Sequence, residues 1–352
     1  MKKTTAFYKI YIIAIKLKIT MQPKQSNTLT YRQAMSLEYP YMWLRQSVDD
    51  LNSAFASLIN YSAVVVQEDY TILNLKPSGS SRANVLQGNV IKLEYCAADK
   101  LTSYFNQHIR VKCKRSDERL SPLDYWRTNK HVLIKKTNPL TLEALDRILF
   151  EQVKGCGQFK PCILMHFINT LKPKSILDFS SGWGDRLMAV LAANKKSLDI
   201  HYTGVDPNKE LVSSYKAMLE MFSDNHCLYR MIAEPFESAT LTDMTYDLVF
   251  TSPPYFGLEI YSNDASQSYQ PGMKIDEWKQ TFLLPSLLKA WNALNRDGTM
   301  CIVINDTKCG KCVEAMIEYI TTFKDASPVE LLSYSSGRYK NSHQPMWLWK
   351  KK

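Results

Sequence analysis

A double proline directly after a short apolar run is the feature that most constrains the fold of this chain. The run is Tyr246-Asp247-Leu248-Val249-Phe250-Thr251, and Ser252-Pro253-Pro254-Tyr255 follows it. The run predicts a buried parallel strand, and the prolines end it because neither has an N–H to donate to a sheet. The motif therefore lies at the carboxyl end of a strand, where open α/β sheets bind ligands. Its hydroxyl, free carbonyls and aromatic ring suit a planar amino group on a stacked base.

A glycine turn between a strand and a helix precedes this motif. Residues 175–179 predict a buried strand, residues 180–186 contain Gly182 and Gly184, and a helical stretch follows from Leu187. Such a turn lets the backbone approach a nucleotide closely. The chain has no G-x-G-x-x-G at this point, which argues against a pyrophosphate ligand.

An acid at the end of the next predicted strand, 201–205, completes the pattern. Asp206 is placed to accept hydrogen bonds from both hydroxyls of a ribose. Simpler explanations exist for each part: a tight strand–helix connection at the glycines, a helix cap at Asp206-Pro207 and a surface turn at the prolines. The three features in this order, each ending a predicted strand, favour a nucleotide site.

These motifs resemble the S-adenosylmethionine-dependent amino-methyltransferases, which methylate exocyclic nitrogens of adenine or cytosine, chiefly in DNA. Residues 178–184, Asp-Phe-Ser-Ser-Gly-Trp-Gly, look like the cofactor motif of that family, and Ser252-Pro253-Pro254-Tyr255 looks like its catalytic motif. The resemblance covers about residues 155–350, and its motif order matches only some groups of the family. It implies a Rossmann-like, doubly wound α/β sheet of the class I methyltransferase type with an antiparallel terminal strand. The alternation of predicted strands and helices independently indicates a doubly wound sheet.

The resemblance also implies the residues of a site. The implied cofactor-binding residues are Asp178, Phe179, Ser180, Gly182, Gly184, Asp206, Pro207, Glu234, Phe236, Lys160 and Pro161. The implied catalytic residues are Ser252, Pro253, Pro254 and Tyr255, with Phe256 against the substrate. Glu234 could equally cap the turn after its strand, and Phe256 could only pack beneath the polar loop 257–272, which is expected to be mobile over the target.

The chemistry assigns roles within the catalytic motif. Ser252 and the Pro253 carbonyl would accept the two protons of an exocyclic amine and stabilise the positive charge that develops on it. Tyr255 would stack on the base, which in a duplex must first leave the helix.

The charge of the chain favours a polyanionic partner. The 352 residues, enough for two domains, carry a net charge of +10. Between Lys100 and Lys136 there are ten Lys or Arg against three acids, with aromatic residues interleaved. We expect Lys112, Lys114 and Arg115 of this segment to contact nucleic acid, although a solvated face would look the same.

The organisation predicted from these patterns has three parts. They are an N-terminal extension (1–20), with Met21 as an alternative start, an α+β region (21–137) suited to nucleic-acid recognition, and a methyltransferase domain (138–352). Predicted strands lie at 90–95, 132–135, 175–179, 201–205, 227–232, 246–251, 299–304, 329–334 and 344–349. Predicted helices lie at 45–61, after Thr141, and at 209–222, 275–294 and 313–323.

The eight cysteines show no regular spacing, so a reducing compartment, cytoplasm or nucleus, is expected. Cys309-Gly310-Lys311-Cys312 has the spacing of half a zinc site without a matching pair, so no metal is expected. The apolar stretch 6–19 contains three lysines and is too short and charged to cross a membrane. The sequence thus predicts a DNA amino-methyltransferase. The alternatives are an RNA adenosine methyltransferase acting on tRNA, rRNA or a cap, and an inactive nucleic-acid-binding module.

Overall fold

A computed structural model of the chain describes residues 28–43, 46–71, 85–241, 244–335 and 343–352. Its strands are β1 (Val64–Thr71), β2 (Val85–Lys92), β3 (Ser175–Asp178), β4 (His201–Val205), β5 (Tyr229–Ile232), β6 (Tyr246–Thr251), β7 (Leu294–Ile302), β8 (Glu330–Ser335) and β9 (His343–Lys350). Its α-helices are α1 (Tyr31–Ser36), α2 (Val48–Ile59), α3 (Ser103–Arg110), α4 (Pro122–Lys136), α5 (Leu142–Gln152), α6 (Pro161–Leu171), α7 (Asp185–Asn194), α8 (Val212–Phe222), α9 (Ile275–Trp278), α10 (Leu284–Asn292) and α11 (Val313–Thr321).

All the described strands belong to one nine-stranded sheet in the order β1-β2-β8-β9-β7-β6-β3-β4-β5. The strands β3 to β7 run parallel, whereas β9 is antiparallel to both of its neighbours, β7 and β8. The predicted α/β fold with an antiparallel strand near the end of the chain is therefore confirmed. From β3 the chain adds β4 and β5 on one side, and then returns to place β6 on the other side. Strands β3 and β6 thus flank a topological switch point.

The central strands are buried on both faces, which explains why short apolar runs identified them. Strands β4 and β6 begin and end at the predicted residues, and β3 ends one residue earlier than predicted. One hydrophobic cluster lies beneath α6, α7 and α8, and a second lies beneath α9, α10 and α11. A parallel sheet covered by helices on both faces requires such continuous apolar strands.

One predicted strand is wrong. Residues 132–135 lie in the last turns of α4, which begins with Ser121 as its cap and Pro122 at its first position. The side chains of Trp126, Leu133 and Ile134 are buried on one face of this helix. The β-branched residues suggested a strand, but the cap, the proline and the seven-residue spacing from Trp126 to Leu133 specify a helix.

The helix predicted at 275–294 is interrupted. A π-helical segment, Lys279–Leu283, separates α9 from α10. Pro285, in the first turn of α10, has no N–H to continue the regular hydrogen-bond pattern, and this accounts for the change of helical register beside it.

The N-terminal region is built into the same sheet and core as the rest of the chain. Strands β1 and β2 form a hairpin, and β2 pairs in parallel with β8. The side chains of Leu51 and Phe55 on α2 share a hydrophobic cluster with Ile163 on α6 and Leu191 on α7. Described residues on both sides of the predicted division at residue 138 thus share one hydrophobic cluster and one sheet.

Some predictions fall outside the described residues. These are the extension 1–20, Met21 and residue 45 of the predicted helix. Helix α2 begins after Ser47, whose hydroxyl accepts a hydrogen bond from the backbone of Asp50. Thr141 caps α5 as predicted, since its hydroxyl accepts a hydrogen bond from the backbone of Ala144.

Within the described ranges, no helix has the length and apolarity needed to cross a membrane.

Candidate active site

A cavity of about 350 Å³ opens at the carboxyl ends of the parallel strands. Its wall includes Gly182 after β3, Asp206 after β4, Phe236 after β5 and Tyr255 after β6. The glycine turn and the Ser-Pro-Pro-Tyr motif, recognised separately in the sequence, thus face one space at the switch point.

The structure divides the predicted site residues into two sets. Those on the wall are Phe179, Ser180, Gly182, Asp206, Pro207, Phe236, Ser252, Pro253, Pro254, Tyr255 and Arg115. Those that the described structure does not bring to the wall are Asp178, Gly184, Lys160, Pro161, Glu234, Phe256, Lys112 and Lys114.

Asp178 lies beneath the cavity as a fully buried carboxylate. It accepts hydrogen bonds from Arg186 Nε at 2.7 Å, the Tyr202 hydroxyl at 2.7 Å and Thr251 Oγ1 at 2.8 Å. These donors come from α7, β4 and β6, so one carboxylate fixes the relative positions of both motifs. A buried charge is stable only with such partners.

The turn after β3 depends on its two glycines. Both have positive φ angles, 51° at Gly182 and 82° at Gly184. A Cβ atom at Gly184 would also lie only 2.9 Å from Met218 Sδ. Gly182 N–H donates to Asp206 at 2.9 Å, so the turn positions the acid at the cavity wall.

Asp206 keeps hydrogen-bonding capacity toward the cavity. One carboxylate oxygen accepts from Gly182 and the other accepts from the backbone of Asn208 at 2.9 Å. Each carboxylate oxygen has a further lone pair for a ligand. Burial raises the pKa of Asp206 to about 6, and these two backbone hydrogen bonds only partly oppose the effect.

After β5, the acid that lines the cavity is Glu237, whereas the sequence predicted Glu234. Phe236 stacks on Phe179 with ring centroids 4.9 Å apart, and it lies under the ammonium group of Lys289. Glu234 is exposed and does not line the cavity, whereas Glu237 does. Glu237 Oε2 is buried and finds no hydrogen-bond partner among the described residues. A buried acceptor of this kind requires a donor from a ligand or from water.

The Ser-Pro-Pro-Tyr motif presents an acceptor and a neutral ring. Ser252 Oγ donates its proton to the Val303 carbonyl at 2.9 Å, so its hydroxyl can only accept from further donors, and the Tyr255 hydroxyl is one such neighbour. Burial, and then the neighbouring phenol of Tyr334, raise the pKa of Tyr255 well above its ordinary value. Tyr255 is therefore uncharged at neutral pH and cannot serve as a base.

Phe256 is part of the core in this structure. Its buried ring packs edge-on against Tyr269 and Trp278, at centroid distances of 5.2 Å and 5.9 Å. The simpler of the two roles considered for Phe256, packing beneath the following loop, is the one its position supports.

The loop after the motif covers part of the cavity. Gly257 and Gly272, at its two ends, have φ angles of 62° and 86°. Ser266, Gln267 and Ser268 line the cavity, and Gln267 Nε2 is buried without a partner in the described structure. The loop thus brings polar groups over the site.

The basic segment is fastened to the loops around the cavity. Lys112 pairs with Glu210 at 2.7 Å, and the backbone of Lys114 exchanges two hydrogen bonds with Ile260. Arg115 pairs with Glu259, and both line the cavity. Of the three residues of this segment that were expected to contact nucleic acid, Arg115 is therefore the one that lines the cavity.

A buried polar network joins α3 to the glycine turn. Asn106 Nδ2 donates to the Trp183 carbonyl at 2.5 Å, and Thr102 donates to Asp185 at 2.5 Å. Gln158 Nε2 donates to Thr102 in turn, at 2.8 Å. The N-terminal region thereby supports the part of the wall formed by the glycine turn, and no local sequence pattern predicts these contacts.

The sequence missed several wall residues. They are Gly157, Asp185, Arg186, Asn208, Leu211, Glu237, Phe282, Tyr334 and Gln344. The other wall residues belong to segments that were expected at the site: Trp183 lies in the predicted cofactor motif, Gln158, Phe159 and Pro235 adjoin residues implied to bind the cofactor, and Leu258, Glu259, Tyr261, Ser266, Gln267 and Ser268 lie in the loop expected over the target. Glu237 could have been found from its position three residues after Glu234, whereas Tyr334 and Gln344 have no motif.

In the described part of the chain, no group of three His, Cys, Asp or Glu side chains could hold a metal ion.

We compared the chain with protein-family models, curated proteins and solved structures, and matches were found only among the solved structures. No protein-family model and no curated protein match the sequence. Among solved structures, the chain is similar to a methyltransferase from Pyrococcus furiosus, with 17% identity, a TM-score of 0.38, and coverage of 54% of this chain and 82% of the other. It is also similar to an rRNA methylase from Streptococcus thermophilus, with 14% identity, a TM-score of 0.39, and coverage of 56% and 99%. A SAM-dependent O-methyltransferase from Thermotoga maritima has 11% identity, a TM-score of 0.36, and coverage of 54% and 63%.

Buried carboxylates at the site make stability depend on pH. Burial raises the pKa of Asp185 to about 6, so the folded state binds a proton that the unfolded state releases above about pH 4. The unfolding free energy should therefore fall as the pH rises from 4 to above 6. We expect Asp185→Asn to remove up to about 3 kcal/mol of this dependence. Urea titrations across that range measure it; the exposed Asp224→Asn is the control, and an unchanged slope for Asp185→Asn would contradict the assignment.

Proposed function

We propose that this protein transfers a methyl group from S-adenosylmethionine to an exocyclic amino nitrogen of a nucleic-acid base, adenine N6 or cytosine N4, with DNA favoured over RNA. One observation supports this above all others. The glycine turn after β3 and the Ser-Pro-Pro-Tyr motif after β6 line the same cavity at the switch point of the sheet. Ligands bind in that crevice in open α/β sheets.

The donor set of the wall fits the cofactor. Asp206 would hold the ribose hydroxyls, because its oxygens face the cavity with lone pairs to offer. Phe236 and Pro207 would lie against the adenine ring. The buried Oε2 of Glu237, which has no partner in the described structure, would accept from the adenine amine. This role moves from Glu234, where the resemblance placed it, to Glu237.

When bound, S-adenosylmethionine supplies a methyl group activated on a sulfonium sulfur, with a neutral thioether as leaving group. The protein must mainly hold the target nitrogen in line. Ser252 is suited to this because its proton is held by the Val303 carbonyl, so its hydroxyl can accept from the amine. An acceptor there also stabilises the positive charge that develops on the nitrogen. Tyr255, an uncharged ring on the same wall, offers the stacking surface.

The preference for DNA comes from the first residue of the motif. In the family that the chain resembles, the related RNA enzymes usually carry Asn or Asp where this chain has Ser252. The net charge of +10 suits either polyanion. The intact motifs oppose an inactive binding module.

The proposed reaction can be tested directly. The protein is incubated with methyl-labelled S-adenosylmethionine and, separately, with duplex DNA, single-stranded DNA, tRNA or capped RNA. Nucleoside mass spectrometry then identifies the product. We expect N6-methyladenine or N4-methylcytosine from DNA. The same modification found only in RNA would overturn the preference for DNA, and no methylated nucleoside from any of them would overturn the proposal.

The ribose role of Asp206 predicts a loss of cofactor affinity. Asp206→Ala removes the carboxylate that would accept the hydroxyls, and a hydrogen bond to a charged group contributes about 1.5–3 kcal/mol. Calorimetry should show S-adenosylmethionine binding weakened by that amount, with Asp224→Ala as the matched exposed control. Unchanged affinity for Asp206→Ala would remove Asp206 from the cofactor site.

The roles assigned to the Ser-Pro-Pro-Tyr motif predict that substitutions there reduce methyl transfer much more than they reduce S-adenosylmethionine binding. Tyr255→Ala should leave S-adenosylmethionine affinity nearly intact, lose about 1–3 kcal/mol of base stacking and reduce methyl transfer further, because a loosely held base is rarely in line. Ser252→Ala should lower turnover while both ligands still bind. Calorimetry and single-turnover rates on the same variants test this, with the exposed Tyr95→Ala as control. A wild-type rate for Tyr255→Ala would show that the double proline only turns the chain.

A further inference from the structure

Gln344 lies on the cavity wall, but the proposed reaction gives it no role. It is the second residue of β9 and lies directly opposite Tyr334 of β8 in the antiparallel register. Both side chains line the cavity, as expected for residues opposite each other on one face of a sheet. The side chain of Gln344 is half-buried, and within the described ranges its carboxamide makes no hydrogen bond to the protein. An unpaired amide on the wall is available to a ligand.

The strand order decides which ligand Gln344 can reach. Neighbouring strands lie about 4.8 Å apart, so β9 is about 10 Å from β6 and about 19 Å from β4. Ser252 and Tyr255 follow β6, whereas Asp206 follows β4. Gln344 is therefore on the side of the catalytic motif, and it is far from the residue expected to hold the cofactor ribose.

The surroundings of Gln344 suit a flat aromatic ligand. The Tyr334 ring lies edge-on to Phe159, with centroids 6.5 Å apart, and Phe159 also lines the cavity. The Tyr334 phenol is close enough to Tyr255 to contribute to its raised pKa. Gln344 thus borders a space walled by Phe159, Tyr255 and Tyr334. Aromatic walls with a few polar groups are typical of sites for planar ligands.

We propose that Gln344 binds the target base by donating a hydrogen bond from Nε2 to a ring nitrogen near the exocyclic amine. The inference rests on the proposed function. Adenine presents N1 and N7 on the two sides of its amine, and cytosine presents N3 beside its own. A glutamine amide matches an amine next to an unprotonated ring nitrogen. Ser252 would hold the amine itself, so the two residues would fix the base at two points in the plane of the ring.

The test combines removal of the Gln344 amide with removal of the ring nitrogen that the amide would contact. The probes are short single-stranded DNA and RNA oligonucleotides with one adenine or one cytosine, and versions that carry 1-deazaadenine, 7-deazaadenine or 3-deazacytosine at that position. On the methylated base, wild type should lose roughly 5- to 150-fold in kcat/KM when the contacted nitrogen is replaced by C–H. Gln344→Met should lose a similar factor on the parent base and nothing more on that analogue, because both changes remove one interaction.

Two further variants keep the comparison interpretable. Gln344→Glu replaces the donor with a carboxylate at neutral pH and should lose at least the same factor, so it decides the matter if Gln344→Met fails to fold. Calorimetry should give wild-type S-adenosylmethionine affinity for Gln344→Met and for Gln344→Glu. The control is Gln152→Met, at an exposed position in α5, which should keep full activity.

The outcomes separate the inference from the function on which it rests. The role of Gln344 would be overturned if the losses in kcat/KM from the Gln344 variant and from every analogue were independent and additive. It would also be overturned if neither Gln344 variant lost activity. Both outcomes would leave the methyltransferase proposal standing. If wild type binds S-adenosylmethionine but methylates none of the parent oligonucleotides, the proposed function fails and the role of Gln344 fails with it.

Discussion

The buried carboxylate of Asp178 is the interaction on which the rest of the site depends. Its three side-chain donors, Arg186, Tyr202 and Thr251, come from the helix after β3 and from the strands on either side of β3. Without any one of these donors the carboxylate would be a buried charge with incomplete compensation, which is strongly destabilising. The same contacts hold the end of β6 beside the turn after β3. The two motifs therefore share a cavity because one buried acid joins the strands that carry them.

The N-terminal region completes this arrangement and does not stand apart from it. Asn106 and Thr102 bond to the glycine turn, and Arg115 pairs with Glu259 at the cavity wall. The basic residues that suggested a separate nucleic-acid surface thus serve, in part, to hold the loops of the site. Under the proposed function, a polyanion bound here would meet Arg115 at the wall of the cavity that receives the target base. Recognition and catalysis would then be parts of one surface.

The sequence predicted most of the parallel core because its strands are buried on both faces and end in residues with distinctive chemistry. Ser252, Asp206 and Gly182 were identified because prolines, glycines and a strand-terminal acid leave few alternatives. The polar partners of Asp178 and the wall residues Tyr334 and Gln344 were not, since contacts between distant segments have no local pattern. Glu234 was named and Glu237 was not, because sequence alone cannot tell which of two nearby acids lines a cavity. The helix α4 was partly misassigned because β-branched residues were weighed above its cap.

A crystal structure with S-adenosylhomocysteine bound would test the central claim most directly, that the two motifs form one active site. We expect the ribose on Asp206, the adenine beside Phe236 and Glu237, and the sulfur directed toward Ser252 and Tyr255. A ligand bound elsewhere, or one bound in the cavity with its sulfur directed away from the Ser-Pro-Pro-Tyr motif, would contradict it.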